Sequence, residues 1–300
     1  MRPRAQALRK MVTGREIVVA PGVFSPAVAK LAERVGFKAL YLSGAAFSGL
    51  LALPDVGMTT LDEVARAAYD IASQVRLPLI VDADTGFGEA VNVGRTVGMM
   101  EAAGAAALHI EDQVLPKRCG HLEGKQLVEV EEMVKKVASA TEAAGGDVIV
   151  IARTDARSVE GIDAAVERAK AYSKAGADMI FPEALEGPAE FAEFRKKVKG
   201  PLMANMTEFG KTPYIGAQEF ERLGYSIVIF PVTTFRAMMR AVERTLYELK
   251  KEGSQKGLLD TLMTREEFYD LIGYSSYKSA DERAVKAARR LAGSRTERSR

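Results

Sequence analysis

Asp82 and Asp84 stand two positions apart, a spacing that suits two ligands of a hard metal ion. If the apolar segment before them is a strand that continues this far, both side chains share one face, and Glu111 joins them from the neighbouring strand. A calcium EF-hand loop is excluded, because Gly86 and Val93 stand where that loop needs an oxygen ligand and a glutamate. Mg²⁺, with Mn²⁺ as the alternative, fits better because it binds through one or two carboxylates and keeps several waters. A metal-free acid pair satisfied by backbone amides is the remaining alternative.

A single cysteine, Cys119, lies in a polar stretch of the sequence. A lone cysteine is more often an inert core residue than a catalyst. Here, however, Lys117, Arg118 and His121 flank it, and nearby cations are expected to lower the pKa of its thiol, so that it exchanges a proton near neutral pH. The surrounding residues 114–125 have the length and polarity of a lid that closes over a site.

Polar side chains follow seven of the eight predicted strands, at the point where each strand ends. They are Tyr41 and Ser43, with Gly44 next to them; Asp82 and Asp84; His109, Glu111 and Asp112; Arg153 and Asp155; Glu183; Asn205 and Thr207; and Arg236. Each one alone has a structural explanation, such as capping a helix or closing a turn. As a set at one edge of a barrel, where catalytic groups of such barrels lie, they indicate an active site.

The predicted strands are short apolar segments rich in β-branched residues. They are Ile17–Ala20, Ala39–Leu42, Leu79–Val81, Ala107–Ile110, Val148–Ala152, Met179–Phe181, Leu202–Ala204 and Ile227–Phe230. Amphipathic, helix-like segments separate them, namely Pro26–Val35, Leu61–Gln74, Asn92–Ala103, Glu129–Ala144, Gly161–Ala175, Pro188–Val198 and Ala217–Leu223. Strands too apolar for a solvent face, alternating with helices, predict a parallel sheet that helices cover.

Eight such units are what a closed α/β barrel of the (β/α)8 TIM type requires. An open doubly wound sheet is the competing fold, and it normally carries a glycine-rich phosphate-binding turn. The best candidate turn, at Gly86–Gly88, lacks the third glycine of that fingerprint, and no Walker-type loop is present. We therefore predict one barrel domain over residues 1–300, in which residues 264–300 form added C-terminal helices, 266–272 and 280–291 among them, and a basic tail from Arg289.

The composition excludes several classes of protein. One cysteine allows no internal disulfide, and two histidines make a histidine- or cysteine-rich zinc site improbable. A formal charge of +2 gives no reason to expect nucleic acid as a partner. The absence of a long apolar run and of a secretory signal core predicts a soluble protein of the cytoplasm, with no membrane partner.

At the residues above, the chain resembles the isocitrate lyase and phosphoenolpyruvate mutase superfamily, most closely its 2-methylisocitrate lyase branch, over nearly its whole length. The most specific element is Lys117-Arg118-Cys119-Gly120-His121, which looks like the signature of the lyases. Further matching segments are Tyr41–Gly44, Asp82–Asp84, His109–Gln113, Ala152–Ala156, Phe181–Ala184, Asn205, Thr207–Glu208 and Phe235–Met238. Ala45 and Ala46 stand where the family usually has glycines.

The resemblance implies a Mg²⁺-dependent lyase that cleaves the carbon–carbon bond of a 2-hydroxy tricarboxylate, 2-methylisocitrate, into pyruvate and succinate. By resemblance, Asp82 and Asp84 anchor the metal, Glu111 supports its waters, and Cys119, with Lys117 and His121 beside it, is the general acid. Contacts to substrate are implied for Ser43, Gly44, Ala45, Gly120, Arg153, Glu183, Asn205, Thr207, Arg236 and Arg265. The base stays open between Tyr41, Glu183 and a metal-bound hydroxide. The family also implies a homotetramer that exchanges C-terminal helices.

Other functions explain the predicted site residues to different extents. Isocitrate lyase differs by one methyl group of the substrate, worth about 1–3 kcal/mol of discrimination. By resemblance, Phe181 and residues 232–233 lie near that methyl group, and a phenylalanine there favours the methylated substrate. Oxaloacetate decarboxylation is disfavoured by Cys119, and a Schiff-base aldolase needs a strand-end lysine, which none of the predicted strands supplies. The alternative outside enzymes is a barrel that only binds a partner, against which the intact acids, arginines and thiol argue.

Overall fold

The computed structural model of the 300-residue chain describes residues 3–297, and side chains as far as residue 291. These residues fall into two compact units, 3–241 and 242–297. The last three residues of the predicted basic tail, 298–300, lie outside the described residues, and residues 289–297 of that tail belong to the final helix.

Eight parallel strands form the centre of the first unit, in agreement with the predicted barrel. They are β1 (Val18–Val23), β2 (Leu40–Leu42), β3 (Leu79–Asp82), β4 (Ala107–Glu111), β5 (Ile149–Thr154), β6 (Met179–Pro182), β7 (Met203–Asn205) and β8 (Ile227–Phe230). Each strand pairs in parallel with its neighbour in the chain, except β6 with β7, and β1 also pairs with β8. A single parallel bridge between Ile180 and Leu202, the residue before β7, links those two strands, so the barrel is nearly closed.

Twelve α-helices are described. Those of the first unit are α1 (Pro3–Val12), α2 (Pro26–Val35), α3 (Gly44–Leu50), α4 (Leu61–Ala72), α5 (Ala90–Ala102), α6 (Val130–Ala144), α7 (Ile162–Lys174), α8 (Pro188–Lys197) and α9 (Ala217–Arg222). Helix α10 (Thr233–Glu252) runs from the first unit into the second, which also holds α11 (Arg265–Leu271) and α12 (Tyr274–Glu297). All seven predicted helices of the barrel and both predicted C-terminal helices are present, while α1, α3 and α10 were not predicted.

Local sequence explains where several of these helices begin and end. Thr60 and Glu63 form a reciprocal capping box at the start of α4, which satisfies backbone N–H groups that the first turn leaves free. Ser25 accepts a hydrogen bond from the backbone of Val28 at the start of α2, and Gly36 ends that helix with a left-handed φ of 101°. The predicted starts of these two helices, at Pro26 and Leu61, therefore agree with the structure.

Two apolar layers hold the barrel. The larger cluster lies between the strands and the surrounding helices, and a second cluster fills the interior of the barrel with residues such as Tyr41, Ile80, Ile151 and Phe181. Helix α1 contributes the fully buried Leu8 to this interior cluster. A filled interior fixes the strands, so polar side chains at their carboxyl ends point from a rigid frame.

The second unit has a different surface. None of its described side chains is buried, and many large apolar ones are exposed. Examples are Leu246, Tyr247, Leu259, Tyr277 and Leu291. Among the described residues, no helix has both the length and the apolarity that crossing a bilayer requires.

Candidate active site

The register of the sheet brings the predicted polar residues to one edge. Asp82 lies beside His109 across β3 and β4, and Glu111 lies beside Arg153 across β4 and β5. A cavity opens at this edge, and thirteen of the predicted site residues line it: Tyr41, Ser43, Ala45, Asp82, Lys117, Cys119, Gly120, His121, Arg153, Glu183, Asn205, Thr207 and Arg236. Its other lining residues are Asp55, Phe181, Ile229, Pro231 and Val232.

Three further predicted residues contact this lining, and one belongs to another part of the chain. The backbone N–H of Gly44 donates to Asp82 at 3.0 Å, Asp84 pairs with Lys117, and Glu111 pairs with Arg153. Arg265 is the first residue of α11, in the second unit, where its side chain is exposed. Its role in substrate binding stays a prediction.

Asp82 is the best satisfied of the three predicted metal-binding acids. One of its oxygens accepts from the backbone of Asp84 at 3.1 Å, and the other accepts from Gly44 and from the hydroxyl of Tyr41. Burial by itself raises its pKa, but the charges of His109, Lys117 and Arg153 outweigh this effect and lower the pKa to about 2. Asp82 is therefore a carboxylate at neutral pH.

Asp84 and Glu111 are less well satisfied. Burial raises the pKa of Asp84 to about 6 although Lys117 Nζ lies 2.7 Å from its Oδ1, which has no partner in hydrogen-bond geometry. Both oxygens of Glu111 also lack hydrogen bonds, with Arg153 at 3.1 Å as an ion-pair partner, and burial raises the pKa of Glu111 well above its usual range. Buried carboxyl oxygens without partners are costly, so this part of the site favours a positive charge.

These residues fit a magnesium-type ion. Their ligands are carboxylate oxygens, and unpartnered oxygens of Asp84 and Glu111 are buried at the site. An added Cβ on Gly44 would lie 2.9 Å from an oxygen of Asp82, so glycine keeps space open beside the acids. Over the described part of the chain, no three acidic, histidine or cysteine side chains form a complete metal cage. Mg²⁺ needs none, because it uses one or two carboxylates and completes its shell with water and substrate.

The cysteine loop, residues 114–126, begins shortly after β4 and folds back beside its own start. Its two ends are joined by a hydrogen bond from the backbone of Val114 to Gln126 at 2.8 Å and by the antiparallel bridge between Gln113 and Leu127. Its Lys117 is buried and forms ion pairs with Asp55 and Asp84. These contacts hold the loop against the cavity.

The expectation for the Cys119 thiol was wrong in one respect. Its pKa is raised, because burial of the thiol outweighs the hydrogen bond from the backbone of His121. Lys117 is committed to Asp55 and Asp84, and Arg118 donates to the carbonyl of Glu123 at the exposed side of the loop. The thiol is half-buried and keeps its proton at neutral pH, which suits a proton donor.

His121 and Asn205 hold the carboxylate of Glu183 at the cavity. The backbone N–H of Lys211 donates to His121 Nδ1 at 3.0 Å, so Nε2 carries the ring proton and faces Glu183 at 3.0 Å. The amide of Asn205 lies 3.2 Å from both Glu183 oxygens. Although burial opposes it, the charge of Arg153 and the hydrogen bond from His121 hold the pKa of Glu183 well below its usual range.

The guanidinium of Arg153 is held by acidic side chains of the protein, so it is not simply a free receptor for a substrate carboxylate. Its guanidinium donates to Asp155 at 2.8 and 3.1 Å and lies 3.1 Å from Glu111. It also lies over the ring of Phe181, 5.3 Å from the centroid. Arg153 therefore forms an ion pair with its near neighbour in sequence, Asp155, and its guanidinium lines the cavity as well.

Tyr41 and His109 form a buried pair behind Asp82. The tyrosine hydroxyl lies 2.8 Å from His109 Nε2 and 3.4 Å from Asp82. Burial raises the pKa of Tyr41 well above its usual value and lowers the pKa of His109 to about 4. Both side chains are therefore neutral near pH 7.

Sequence reasoning missed two residues of this site. Asp55 comes from the loop after α3 and binds Lys117, and the only sequence signal for it is the turn-forming Pro54 before it. Lys125, the last residue of the predicted lid, is buried between the loop and Asp155. A lysine in a polar stretch normally reads as solvated, so nothing in the local pattern marks it as buried.

The chain matches known proteins over nearly its whole length. A family model described as phosphoenolpyruvate phosphomutase matches residues 8–250. The 2-methylisocitrate lyase of Aeropyrum pernix is 60% identical over 284 residues, which cover 95% of this chain and 92% of that protein.

Solved structures share the same architecture. A 2,3-dimethylmalate lyase, described as a member of the PEP mutase/isocitrate lyase superfamily, superposes with a TM-score of 0.89 at 35% identity and covers 95% of this chain and 96% of its own. A phosphonopyruvate hydrolase in complex with oxalate and Mg²⁺ superposes with a TM-score of 0.86 at 34% identity and covers 94% and 99%.

The buried His109 makes a pH-dependent contribution to stability. In metal-free protein its folded-state pKa of about 4 lies below its ordinary value of about 6.5, so between these values the unfolded chain binds more protons. Stability from this group is full above about pH 6.5 and is lost as the pH falls towards 4. The quantity to compare is the change in the free energy of unfolding between about pH 7 and pH 4, measured by urea denaturation. We expect the loss for His109→Gln to be smaller than the loss for wild type by on the order of 3 kcal/mol.

As the pH falls, the titration of Asp84 changes the stability of the fold in the opposite direction. Its pKa is raised to about 6, so its protonation favours the folded state as the pH falls. Because Asp84 is present in both proteins, its effect cancels in the difference between the two pH profiles. Parallel profiles for wild type and His109→Gln would contradict the burial of a neutral imidazole.

Proposed function

We propose that this chain, which belongs to the phosphoenolpyruvate mutase and isocitrate lyase superfamily, is a carbon–carbon lyase that cleaves 2-methylisocitrate to pyruvate and succinate. The observation that carries the proposal is the cavity itself, where a protonated thiol, an ionised glutamate and the aspartate site line one small space. These are the groups that bond cleavage between a hydroxyl-bearing carbon and a carbon beside a carboxylate needs.

The charge balance of the cavity supports a divalent cation as cofactor. Five acidic side chains, Asp55, Asp82, Asp84, Glu111 and Glu183, outnumber the cationic side chains that contact them. Without a further cation, burial raises the pKa of Asp84 and Glu111, and the substrate adds three more carboxylates. We propose Mg²⁺, with Mn²⁺ as the alternative, held by Asp82 and Asp84 and supported by Glu111. When bound, the ion supplies positive charge that acidifies the substrate hydroxyl and offsets the negative charge that develops during cleavage.

The walls of the cavity bind and orient the substrate carboxylates. We assign this role to Arg153, Arg236, Asn205 and Thr207, to residues 43–45 and Gly120, and, by resemblance, to Arg265. An added Cβ on Gly120 would lie 2.3 Å from Glu183 and 2.8 Å from Arg153, so only glycine lets the backbone approach these groups. The close fit of the loop also excludes water from the developing charge.

Two proton transfers complete the reaction. The proton of the substrate hydroxyl leaves to a base as the carbonyl of pyruvate forms, and the electron pair of the broken bond stays on the succinate carbon. Of the two side-chain candidates for the base, Glu183 is ionised and Tyr41 is not, so we assign this step to Glu183. Because its lowered pKa makes Glu183 a weak base, the assignment requires a hydroxyl that the proposed cation has acidified. The thiol of Cys119 then donates its proton to the succinate carbanion.

The apolar residues that line the cavity favour 2-methylisocitrate over isocitrate as the substrate. Phe181 lines the cavity together with Ile229 and Val232. Its ring is fixed between the edge of His109, 5.4 Å between centroids, and the guanidinium of Arg153. A fixed aromatic ring and two branched aliphatic side chains provide contacts for a methyl group that isocitrate does not have.

The exposed surface of the second unit is the reason for proposing that several copies of the chain assemble. Its apolar side chains are exposed and it buries none among the described residues, so it has no core of its own. Exposed apolar area of this kind marks a surface that a partner covers. We propose a homotetramer in which neighbours exchange these helices.

A catalytic free thiol suits the reducing cytoplasm, which we propose as the compartment of this protein.

Purified protein with Mg²⁺ is expected to cleave 2-methylisocitrate at least about tenfold more efficiently than isocitrate, because one buried methyl group is worth about 1–3 kcal/mol. The measurement is kcat/KM for each substrate, with pyruvate and glyoxylate as the detected products. Equal or reversed efficiencies would assign the chain to isocitrate cleavage instead.

Replacing the proposed acid tests the thiol. Cys119→Ser keeps the size of the side chain but donates a proton far less readily, so kcat should fall by roughly 10²- to 10⁴-fold. Thermal unfolding of the variant serves as the control for an intact fold. A folded Cys119→Ser protein with nearly wild-type kcat would show that another group protonates the carbanion.

The assembly is tested by light scattering of the full chain. We expect a particle of about four copies, and a smaller one when Leu246 and Tyr247 are both replaced by serine, because an interface core loses apolar area. The exposed Val35→Ser in α2 is the matched control, and it should leave the mass unchanged. A monomer for the wild type would contradict the proposed exchange.

A further inference from the structure

We propose that Lys125 is a positioning residue that fixes the cysteine loop: its ammonium group joins the carbonyl of Gly120 to the carboxylate of Asp155 and thereby holds Cys119 at the cavity. The inference rests on the proposed function, because it concerns the placement of the proposed proton donor. It adds a residue outside the lining of the cavity to the machinery of the site.

The environment of Lys125 leaves its ammonium few alternatives. The side chain is 1% exposed and the Asp155 side chain is fully buried, with Nζ 3.0 Å from Oδ1. Nζ also donates to the carbonyl oxygen of Gly120. A buried ammonium is costly unless it is both paired and hydrogen-bonded. Any movement that takes the Gly120 carbonyl away leaves this charge with one partner fewer, so the closed loop is favoured.

Asp155 is the fixed end of this contact. Its carboxylate binds the guanidinium of Arg153 through both oxygens, and its backbone N–H donates to Asp112 at 2.9 Å. Asp112 in turn accepts from the hydroxyl of Tyr172, on helix α7, at 2.8 Å. The anchor therefore belongs to the barrel, and Lys125 ties the loop to it.

Gly120 is the moving end, and it lies directly against the reacting groups. The space beside its Cα is occupied by Glu183 and Arg153, so its backbone cannot shift inward. Cys119 precedes it, so a displacement of the Gly120 carbonyl carries the thiol with it. Because Asp155 holds both Lys125 and Arg153, one carboxylate sets the positions of the proposed proton donor and of a proposed substrate ligand.

The single cysteine of the chain makes the loop directly observable. The rate at which iodoacetamide alkylates the protein reports the access and reactivity of Cys119 alone, with no substrate present. Lys125→Met keeps the length of the side chain and removes the ammonium. We expect its alkylation rate to rise at least about tenfold and its kcat on 2-methylisocitrate to fall about 10²-fold, with KM changed by less than about threefold, since a small misplacement of a reacting group costs rate.

Lys136→Met is the matched control for alkylation. It also removes a buried ammonium, 6% exposed, but that group donates to the carbonyl of Thr85, outside the loop, at 3.3 Å. Its alkylation rate should remain close to that of the wild type. Lys125→Arg, which keeps the charge and the donors, should recover part of the lost kcat and lower the alkylation rate again.

Failure of this inference is distinct from failure of the proposed function. If the wild type does not cleave 2-methylisocitrate, the proposed function is wrong, and the alkylation rates still decide whether Lys125 holds the loop. An unchanged alkylation rate in folded Lys125→Met would overturn the inference, and so would faster alkylation with unchanged turnover. If Lys125→Met does not fold, Lys125→Gln, which keeps a donor for Gly120 without the charge for Asp155, is judged by the same criteria.

Discussion

The carboxyl groups of Asp82, Asp84 and Glu111 are buried together at the carboxyl end of the barrel, and Lys117 and Arg153 are the cationic side chains in ion-pair contact with them. Burial disfavours the charged form of each acid. The pKa of Asp82 is lowered because the charges of His109, Lys117 and Arg153 outweigh its burial. Burial raises the pKa of Asp84 and of Glu111, whose buried oxygens lack hydrogen-bond partners. These buried carboxyl oxygens without hydrogen-bond partners are the constraint that shapes the rest of the site, and they are the physical reason for proposing a divalent cation.

Each cation near these acids is shared with a second acid, and this sharing connects the parts of the site. Lys117 lies between Asp84 and Asp55, and Arg153 is bound by Glu111 and Asp155. Since Lys117 belongs to the cysteine loop, the same ion pair that offsets the metal-binding acids also holds the loop near them. Breaking one contact therefore leaves a buried charge unpaired elsewhere, which makes the arrangement cooperative.

Burial and neighbouring charges together set the protonation states that the proposed chemistry needs. The thiol of Cys119 keeps its proton because it is desolvated, and Glu183 keeps its charge because Arg153 and His121 outweigh its desolvation. An acid that holds its proton and a base that has lost one thus face the same cavity. This pairing of opposite protonation states is a common sign of acid–base catalysis.

The sequence predicts the barrel well because apolar strand cores and amphipathic helices carry a local signal, and all eight strands lie where the apolar runs are. It predicts the acids and arginines of the site because parallel strands end at one edge. Three features escaped prediction for one reason. The raised pKa of Cys119, the contact of Asp55 with Lys117 and the burial of Lys125 depend on which distant residues surround each group, and no local pattern records that.

The most direct test of the account is calorimetric titration of Mg²⁺ into the substrate-free wild type and into Asp84→Asn. One ion per chain should bind to the wild type with release of protons, and Asp84→Asn should weaken this binding at least about tenfold, because it removes one of the oxygens that carry the excess charge. Equal Mg²⁺ affinity in both proteins, or no binding to the wild type, would contradict the claim that a cation offsets the buried carboxylates.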